Sequence, residues 1–316
     1  MSTILITGGT GFVGGRMARK LAETHKVVVS SRLTLSDEVL QAHGAGEAVL
    51  HSTLLQKEGF PTGVDTVIHM AALNEWDCVK FPSEAIRVNI DESRILLENA
   101  ISAGVKQFIY FSTAHIYGSP LKGLITEDTL PVPAHPYAIT HKAAEDYIIA
   151  AILQKRIKGT VIRLSNSFGA PVLPTVNRWT LLANDLARQA IENKRIQLVS
   201  NGCQYRDFIC LDDVERVISR MVIEGEHILR WPIYNLGSGT SMKVIDFATA
   251  VAMVYQELFG EKLPVVLPAG AVPTAEPELH YSVNRLLTEG YELRNDIYAT
   301  LKELLIFCSQ HFSVKA

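Results

Sequence analysis

The sequence predicts an α/β protein built on a doubly wound parallel sheet with a smaller C-terminal lobe, and three observations carry that expectation. Through the N-terminal half, short β-branched runs alternate with longer helical patterns, which is the signature of repeated strand–helix–strand units. A glycine-rich turn, Gly8-Gly9-Thr10-Gly11-Phe12-Val13-Gly14, joins the first such run to the first helical pattern. The chain has 316 residues, 47% of them hydrophobic and 20% charged, which allows a sizeable core and matches an ordinary folded protein rather than a disordered one.

Taken in order, the strands are expected at Ile4–Thr7, Lys26–Ser30, Ala48–Leu50, Thr66–Met70, Gln107–Ser112 and Thr160–Leu164. Between them the longest helices are expected from Val13 to Thr24, Ser83 to Ala103 and Pro136 to Lys155, the last with apolar residues at Ile148, Ala151 and Ile152. Parallel strands need such crossovers. After Leu164 the regularity breaks at Asn166-Ser167-Phe168-Gly169-Ala170-Pro171, taken as the entry to a second lobe. The proline-bearing stretch from Ala269 to Pro277 reads as a long loop. The expected division is residues 1–166 for the first domain and 167–316 mainly for the second lobe, with segments near 207–240 returning to the first.

Bulk properties exclude several classes of function. The net charge of −3 and pI near 6.4, with Lys and Arg scattered rather than clustered, argue against a nucleic-acid partner. Cys78, Cys203, Cys210 and Cys308 form no C-x-x-C pair, so a reducing, cytoplasmic setting is expected, and no metal site. Only two residues separate Met1 from the first apolar run, and no stretch of about 20 apolar residues follows; no membrane association is expected.

The glycine turn carries chemistry. Gly8 permits a tight turn, Gly11 lets backbone N–H groups approach a pyrophosphate, and Gly14 lets the helix pack on the strand. Thr10, Phe12 and Val13 complete the turn at a helix N-terminus whose dipole and free N–H groups favour an anion. A Rossmann-type, dinucleotide-binding first domain is therefore expected. The second strand ends in Val29-Ser30-Ser31-Arg32, without the carboxylate that bonds a ribose 2′-hydroxyl. Ser31 and Arg32 suit a 2′-phosphate, so NADP is expected, with NAD possible.

Further motifs follow in order: Val67-Ile68-His69-Met70-Ala71-Ala72, Arg87-Val88-Asn89, Tyr110-Phe111-Ser112-Thr113-Ala114-His115-Ile116-Tyr117-Gly118 and Pro136-Tyr137-Ala138-Ile139-Thr140-His141-Lys142. With Arg163-Leu164-Ser165-Asn166, Gly202 to Ile209 and Tyr234 to Gly239, nearly the whole chain resembles the extended short-chain dehydrogenase/reductase family of nucleotide-sugar epimerases, dehydratases and reductases. The resemblance implies a catalytic Tyr137 acting as general acid/base with Thr113, Ala71 and Ala72 beside the cofactor, and a C-terminal lobe that binds substrate. An unperturbed Tyr has a pKa of about 10, so a phenol serving as base needs a nearby positive charge. The family places a Lys four residues after the Tyr; here that position is His141, and Lys142 follows. At about 100° per residue, His141 lies about 40° from Tyr137 around a regular helix and Lys142 about 140° away. A π-bulge would instead bring Lys142 into place, so both remain candidates for bonding the nicotinamide ribose.

Two other departures bear on the reaction and the cofactor. The family's 4,6-dehydratases carry an acidic residue directly after the active-site Thr, whereas this chain has Ala114-His115, so reduction of a 4-keto-sugar or epimerisation is expected rather than dehydration. After the third strand His51-Ser52-Thr53-Leu54 replaces the family's usual Asp, leaving Ser52 or Thr53 to face the adenine. By the same resemblance Asn166 and Arg206 contact the diphosphate of a nucleotide-diphosphate sugar, and His115 faces the sugar. The alternatives are an Asn capping a loop and an Arg paired with Asp207 or Asp212. Asn89 is expected to brace the helix against the active-site strand, and helices 83–103 and 136–155 to pair across a two-fold axis as a homodimer. A non-catalytic dinucleotide-binding sensor or partner protein, and a reductase of a small non-sugar ketone or aldehyde, are the competing functions.

Overall fold

The computed structural model describes residues 1–224 and 230–313. Seven strands form one sheet in the spatial order Glu47–Leu50, Lys26–Ser31, Thr3–Thr7, Thr66–His69, Gln107–Thr113, Lys158–Leu164 and Ile233–Leu236. Every neighbouring pair runs parallel. In chain order this is 3-2-1-4-5-6-7, so the topology reverses direction between Thr3–Thr7 and Thr66–His69. A crevice for ligands opens at the carboxyl ends of strands on either side of such a reversal. The strands are nearly continuous runs of Val, Ile, Leu and Phe because both faces are covered. One face packs with Met17, Leu21, Val217 and Met221, the other with Leu96, Leu97, Ile148 and Ala151.

The second lobe has its own core, formed by helices Leu182–Glu192, Val244–Phe259 and Ile297–Phe312 around Phe168, Phe208, Phe247 and Trp179. The last strand of the large sheet and helix Leu211–Glu224 come from beyond residue 166, and that helix packs on helix Phe12–Leu21. Arg16 ties the two helices together. Its guanidinium, 6% exposed, meets Asp212, Glu215 and Glu303 at 2.5, 2.5 and 2.9 Å.

Three elements differ from the sequence expectation. The stretch expected as one helix from Ser83 is an α-helical turn Pro82–Ala85, a π-helical segment Ile86–Glu92 and an α-helix Ser93–Ser102. The extra residue in the π turn goes with the buried side chain of Asn89, which accepts from Leu73 N–H at 2.7 Å and donates to Thr140 Oγ1 at 3.0 Å. Asn166–Phe168, where the regular pattern breaks, is a strand paired with Phe208–Cys210. Helix Phe12–Leu21 stops three residues short of Thr24.

Candidate active site

The glycine turn has the geometry its spacing requires. Gly8 adopts φ +69°, which L side chains disfavour, and a Cβ on Gly14 would lie 2.2 Å from the Gly8 carbonyl oxygen. Only glycine lets the helix start so close to the strand. Gly11 N–H donates to Gly8 O at 2.9 Å, and the helix begins at Phe12 with no side-chain cap and no acidic residue in its first turn. Thr10 and Val13 are half-buried and Phe12 is buried beside it. The free N–H groups and the positive end of the dipole are left to meet an anion, so the residues fit a dinucleotide pyrophosphate.

Thr7 links this turn to the next strand. Its Oγ1 accepts from the Met70 and Ala71 N–H groups, both at 3.2 Å, and lies 2.6 Å from His69 Nδ1. Ala71 and Ala72 are thereby fixed beside the turn. Burial pushes His69 down to about 3, helped by the nearby charges of His51 and His141, so it is a neutral strut whose Nε2 reaches Ser93 Oγ at 2.8 Å. At the end of the second strand Ser31 Oγ accepts from Leu33 N–H at 3.2 Å, and Arg32 is exposed. Arg32 adds to the effect of burial in lowering the proton affinity of His51, so its charge stands close to the end of the third strand.

Tyr137 enters from a well-defined helix start. His135 Nδ1 accepts from Tyr137 N–H at 3.2 Å and Pro136 takes the first helical position. From there the helix runs as a regular α-helix to Leu153, so Tyr137, His141 and Glu145 share one face at four-residue steps. His141 is 3% exposed. Its Nδ1 lies 2.9 Å from the Tyr110 hydroxyl, and its ring meets that of Tyr137 edge-on at 4.4 Å. No partner for His141 Nε2 exists among the described residues. Lys142 is not brought to Tyr137: it pairs with Asp146, one turn along the outer face. With no π-bulge between residues 137 and 142, His141 and not Lys142 lies on the face of Tyr137. Thr113 ends its strand beside this helix, and its Oγ1 accepts from His115 N–H at 3.2 Å.

Two residues absent from the sequence expectation stand within electrostatic reach of Tyr137 and His141. Glu75 opens the short helix Glu75–Lys80, and its carboxylate lies 2.9 Å from the guanidinium of Arg178, which comes from the second lobe. Burial opposes ionisation of Glu75, but Arg178 more than offsets it and holds the carboxyl below its ordinary range. Burial raises the proton affinity of Tyr137; Glu75 adds to this and Arg178 partly offsets it. Burial likewise pushes His141 down to about 4, so near neutral pH a phenol stands against an uncharged imidazole. His115, half-buried, has its pKa lowered by burial and by Arg206. Nothing in the spacing marks Glu75, Arg178 or Tyr110, because each matters through contacts made far along the chain.

On the second-lobe side Asn166 Nδ2 donates to the Asp207 carbonyl at 2.9 Å. Arg206 pairs with neither candidate carboxylate. Asp207 is taken by Ser165, Ser238 and Gly239, and Asp212 by Arg16. Burial lowers the Arg206 proton affinity, with no carboxylate among the described residues offsetting it. Among the described residues no group of three or more His, Cys, Asp or Glu side chains is arranged to hold a metal, and no helix is long and apolar enough to cross a membrane.

The sequence profile of the NAD dependent epimerase/dehydratase family matches residues 4–237. A putative UDP-arabinose 4-epimerase of Arabidopsis thaliana is 27% identical over 282 residues, 78% of this chain and 66% of that protein. The dTDP-glucose 4,6-dehydratase of Escherichia coli is 26% identical, covering 94% of this chain and 86% of that one. The solved structure of a UDP-glucose 4-epimerase with UDP-glucose from Thermotoga maritima superposes with a TM-score of 0.78 at 24% identity, over 98% of this chain and 99% of that one. That likeness shows a shared fold.

Proposed function

The chain belongs to the NAD dependent epimerase/dehydratase family, and from that premise we propose that it reduces a keto group of a nucleotide-activated sugar, with NADPH as the reductant and Tyr137 as the proton donor. The observation that carries this reading is the edge-on packing of Tyr137 at 4.4 Å on His141, whose Nε2 has no partner among the described residues, in a place where burial keeps both groups uncharged. A group that keeps its proton near neutral pH is suited to give it up to a developing alkoxide. NADPH, when bound, supplies the hydride. Tyr137 then protonates the carbonyl oxygen, Thr113 Oγ1 hydrogen-bonds the same oxygen, and Arg206 with Asn166 takes the diphosphate. His141 is assigned the ribose contact through its unpartnered Nε2. Preference for NADPH rests on Ser31 and Arg32 at the end of the second strand, where no carboxylate stands.

Epimerisation is the second reading, favoured by the similarity to UDP-arabinose and UDP-glucose 4-epimerases; it requires Tyr137 to act first as base and then as acid. Ala114 and His115 put no carboxylate directly after Thr113, which speaks against loss of water. The match to a 4,6-dehydratase nevertheless keeps that reaction among those assayed. The test is incubation with NADPH or NAD and UDP-, GDP- and dTDP-sugars, their 4-keto forms included, with products read by mass spectrometry. A product gained with stoichiometric NADPH consumption supports reduction, an isomer without net consumption supports epimerisation, and a dehydrated product supports the third reaction. Tyr137→Phe is expected to lower turnover by roughly 10²–10⁴-fold while dinucleotide affinity holds. Intact dinucleotide binding with no product from any sugar nucleotide would leave a non-catalytic binding protein or a reductase of a small ketone.

A further inference from the structure

We propose that Glu75 and Arg178 together form the selectivity element of the sugar subsite, accepting an uncharged, hydroxyl-bearing sugar and rejecting one that carries a carboxylate. The proposal rests on the nucleotide-sugar reading above and names the class of sugar that site takes. The two side chains come from different lobes, 103 residues apart in sequence, and meet at 2.9 Å. They are neither buried nor free: their side chains are 38% and 27% exposed, so a ligand in the cleft can reach both. Their charges act on Tyr137 and His141, and Glu75 acts on His115 as well. Helix Glu75–Lys80 packs on the helix that carries Tyr137, so the pair stands beside Tyr137 and His141.

Arg178 is delivered to this point by its neighbour. Trp179, 8% exposed, donates its indole N–H to Pro174 O at 2.9 Å. Its ring stacks on Phe307 at 6.0 Å and meets Phe312 edge-on at 4.7 Å. This anchor holds the Arg178 loop against the core of the second lobe. Glu75 is fixed from the other side by the cap of its helix, where Asn74 Oδ1 accepts from Asp77 N–H at 2.9 Å. The pair thus spans the cleft between two rigid supports.

The chemistry of the pair decides what it recognises. A guanidinium carries five donors and a carboxylate several acceptor sites, so after one contact between them each keeps unused capacity. A sugar hydroxyl is donor and acceptor at once and can bond both partners without breaking their contact. A sugar carboxylate could share Arg178 only by setting a like charge beside the partly buried carboxylate of Glu75, which is costly. Glu75 is also a poor proton donor here, since Arg178 holds its carboxyl in the ionised form. Its role is recognition.

The experiment is titration calorimetry of the dinucleotide-loaded protein with UDP, UDP-glucose and UDP-glucuronic acid, for wild type, Glu75→Gln and Arg178→Gln. Wild type is expected to bind UDP-glucose at least about tenfold more tightly than UDP-glucuronic acid. Glu75→Gln should abolish that preference with the UDP affinity unchanged, and Arg178→Gln should weaken both sugars and not UDP. A preference that survives Glu75→Gln, or a wild type that favours the acidic sugar, overturns the proposal and leaves the nucleotide-sugar reading standing. Failure of UDP to bind, and of GDP and dTDP titrated in its place, with the dinucleotide retained, overturns the nucleotide-sugar reading and this proposal with it. A change in UDP affinity equal to that for UDP-glucose would mean that the pair only holds the lobes together, which also overturns it.

Discussion

At the scale of single residues the active-site helix turns on position 141. The resemblance supplies a Lys there as the fixed cation that lowers the phenol, and this chain has a His whose pKa burial pushes down to about 4. The groups around the pair are Tyr110 on the neighbouring strand, Glu75 and Cys78 on the short helix, Arg178 from the second lobe, and Glu145 four residues along. None stands as a lone cation next to Tyr137, since Arg178 is paired with Glu75. His141→Lys is therefore expected to lower the phenol pKa. Phenol ionisation removes the proton donor, so the alkaline limb of kcat/KM for reduction should move to lower pH, by about one unit. An unshifted limb would show that position 141 lies outside electrostatic reach of Tyr137. The angular argument put His141 on the Tyr137 face, and the regular helix, with no π-bulge, places it there.

At the scale of elements the helix that carries Tyr137 is held by a buried ion pair. Glu145, fully buried, takes both ends of the Arg163 guanidinium at 3.1 and 2.9 Å. Arg163 also donates to the Tyr117 hydroxyl at 2.7 Å, and Tyr117 in turn donates to Asn235 Oδ1 at 2.7 Å. One network thus joins the helix carrying Tyr137, the turn after Thr113, and two strands of the sheet. Removing one partner strands a buried charge, so Arg163→Ala is expected to destabilise by about 3–5 kcal/mol, read by urea unfolding. A loss below about 1 kcal/mol would mean the network does not hold the helix. The strands and long helices were legible because their periodicity is local. The π segment at Ile86–Glu92 was not, because it goes with contacts between Asn89, Leu73 and Thr140 that the sequence of that helix does not contain.

At the scale of the whole molecule, the outer face of the catalytic helix raises the question of assembly. Ile139, Tyr147 and Leu153 along it are 49%, 50% and 66% exposed, and Ile86 nearby is 57% exposed. We propose that a second copy covers this face as an isologous dimer. Sedimentation velocity is expected to give the mass of two chains, and Tyr147→Glu, which puts a charge on that face, to give one. A wild-type monomer at micromolar concentration would refute the assembly.

The amino-acid order by itself determined the parallel sheet, the glycine turn and the placement of Tyr137 and Thr113 at the ends of their elements. Each of those is written in residues a few positions apart: the glycines at 8, 11 and 14, the apolar alternation of the strands, the proline that starts the helix. Tertiary structure alone decided the contacts that set the chemistry. Tyr110 meets His141 across 31 residues and Glu75 meets Arg178 across 103. Such pairs are chosen by how the sheet and the second lobe pack, and the charge state of Tyr137 follows from them because burial and neighbouring charges, not residue type, set a pKa.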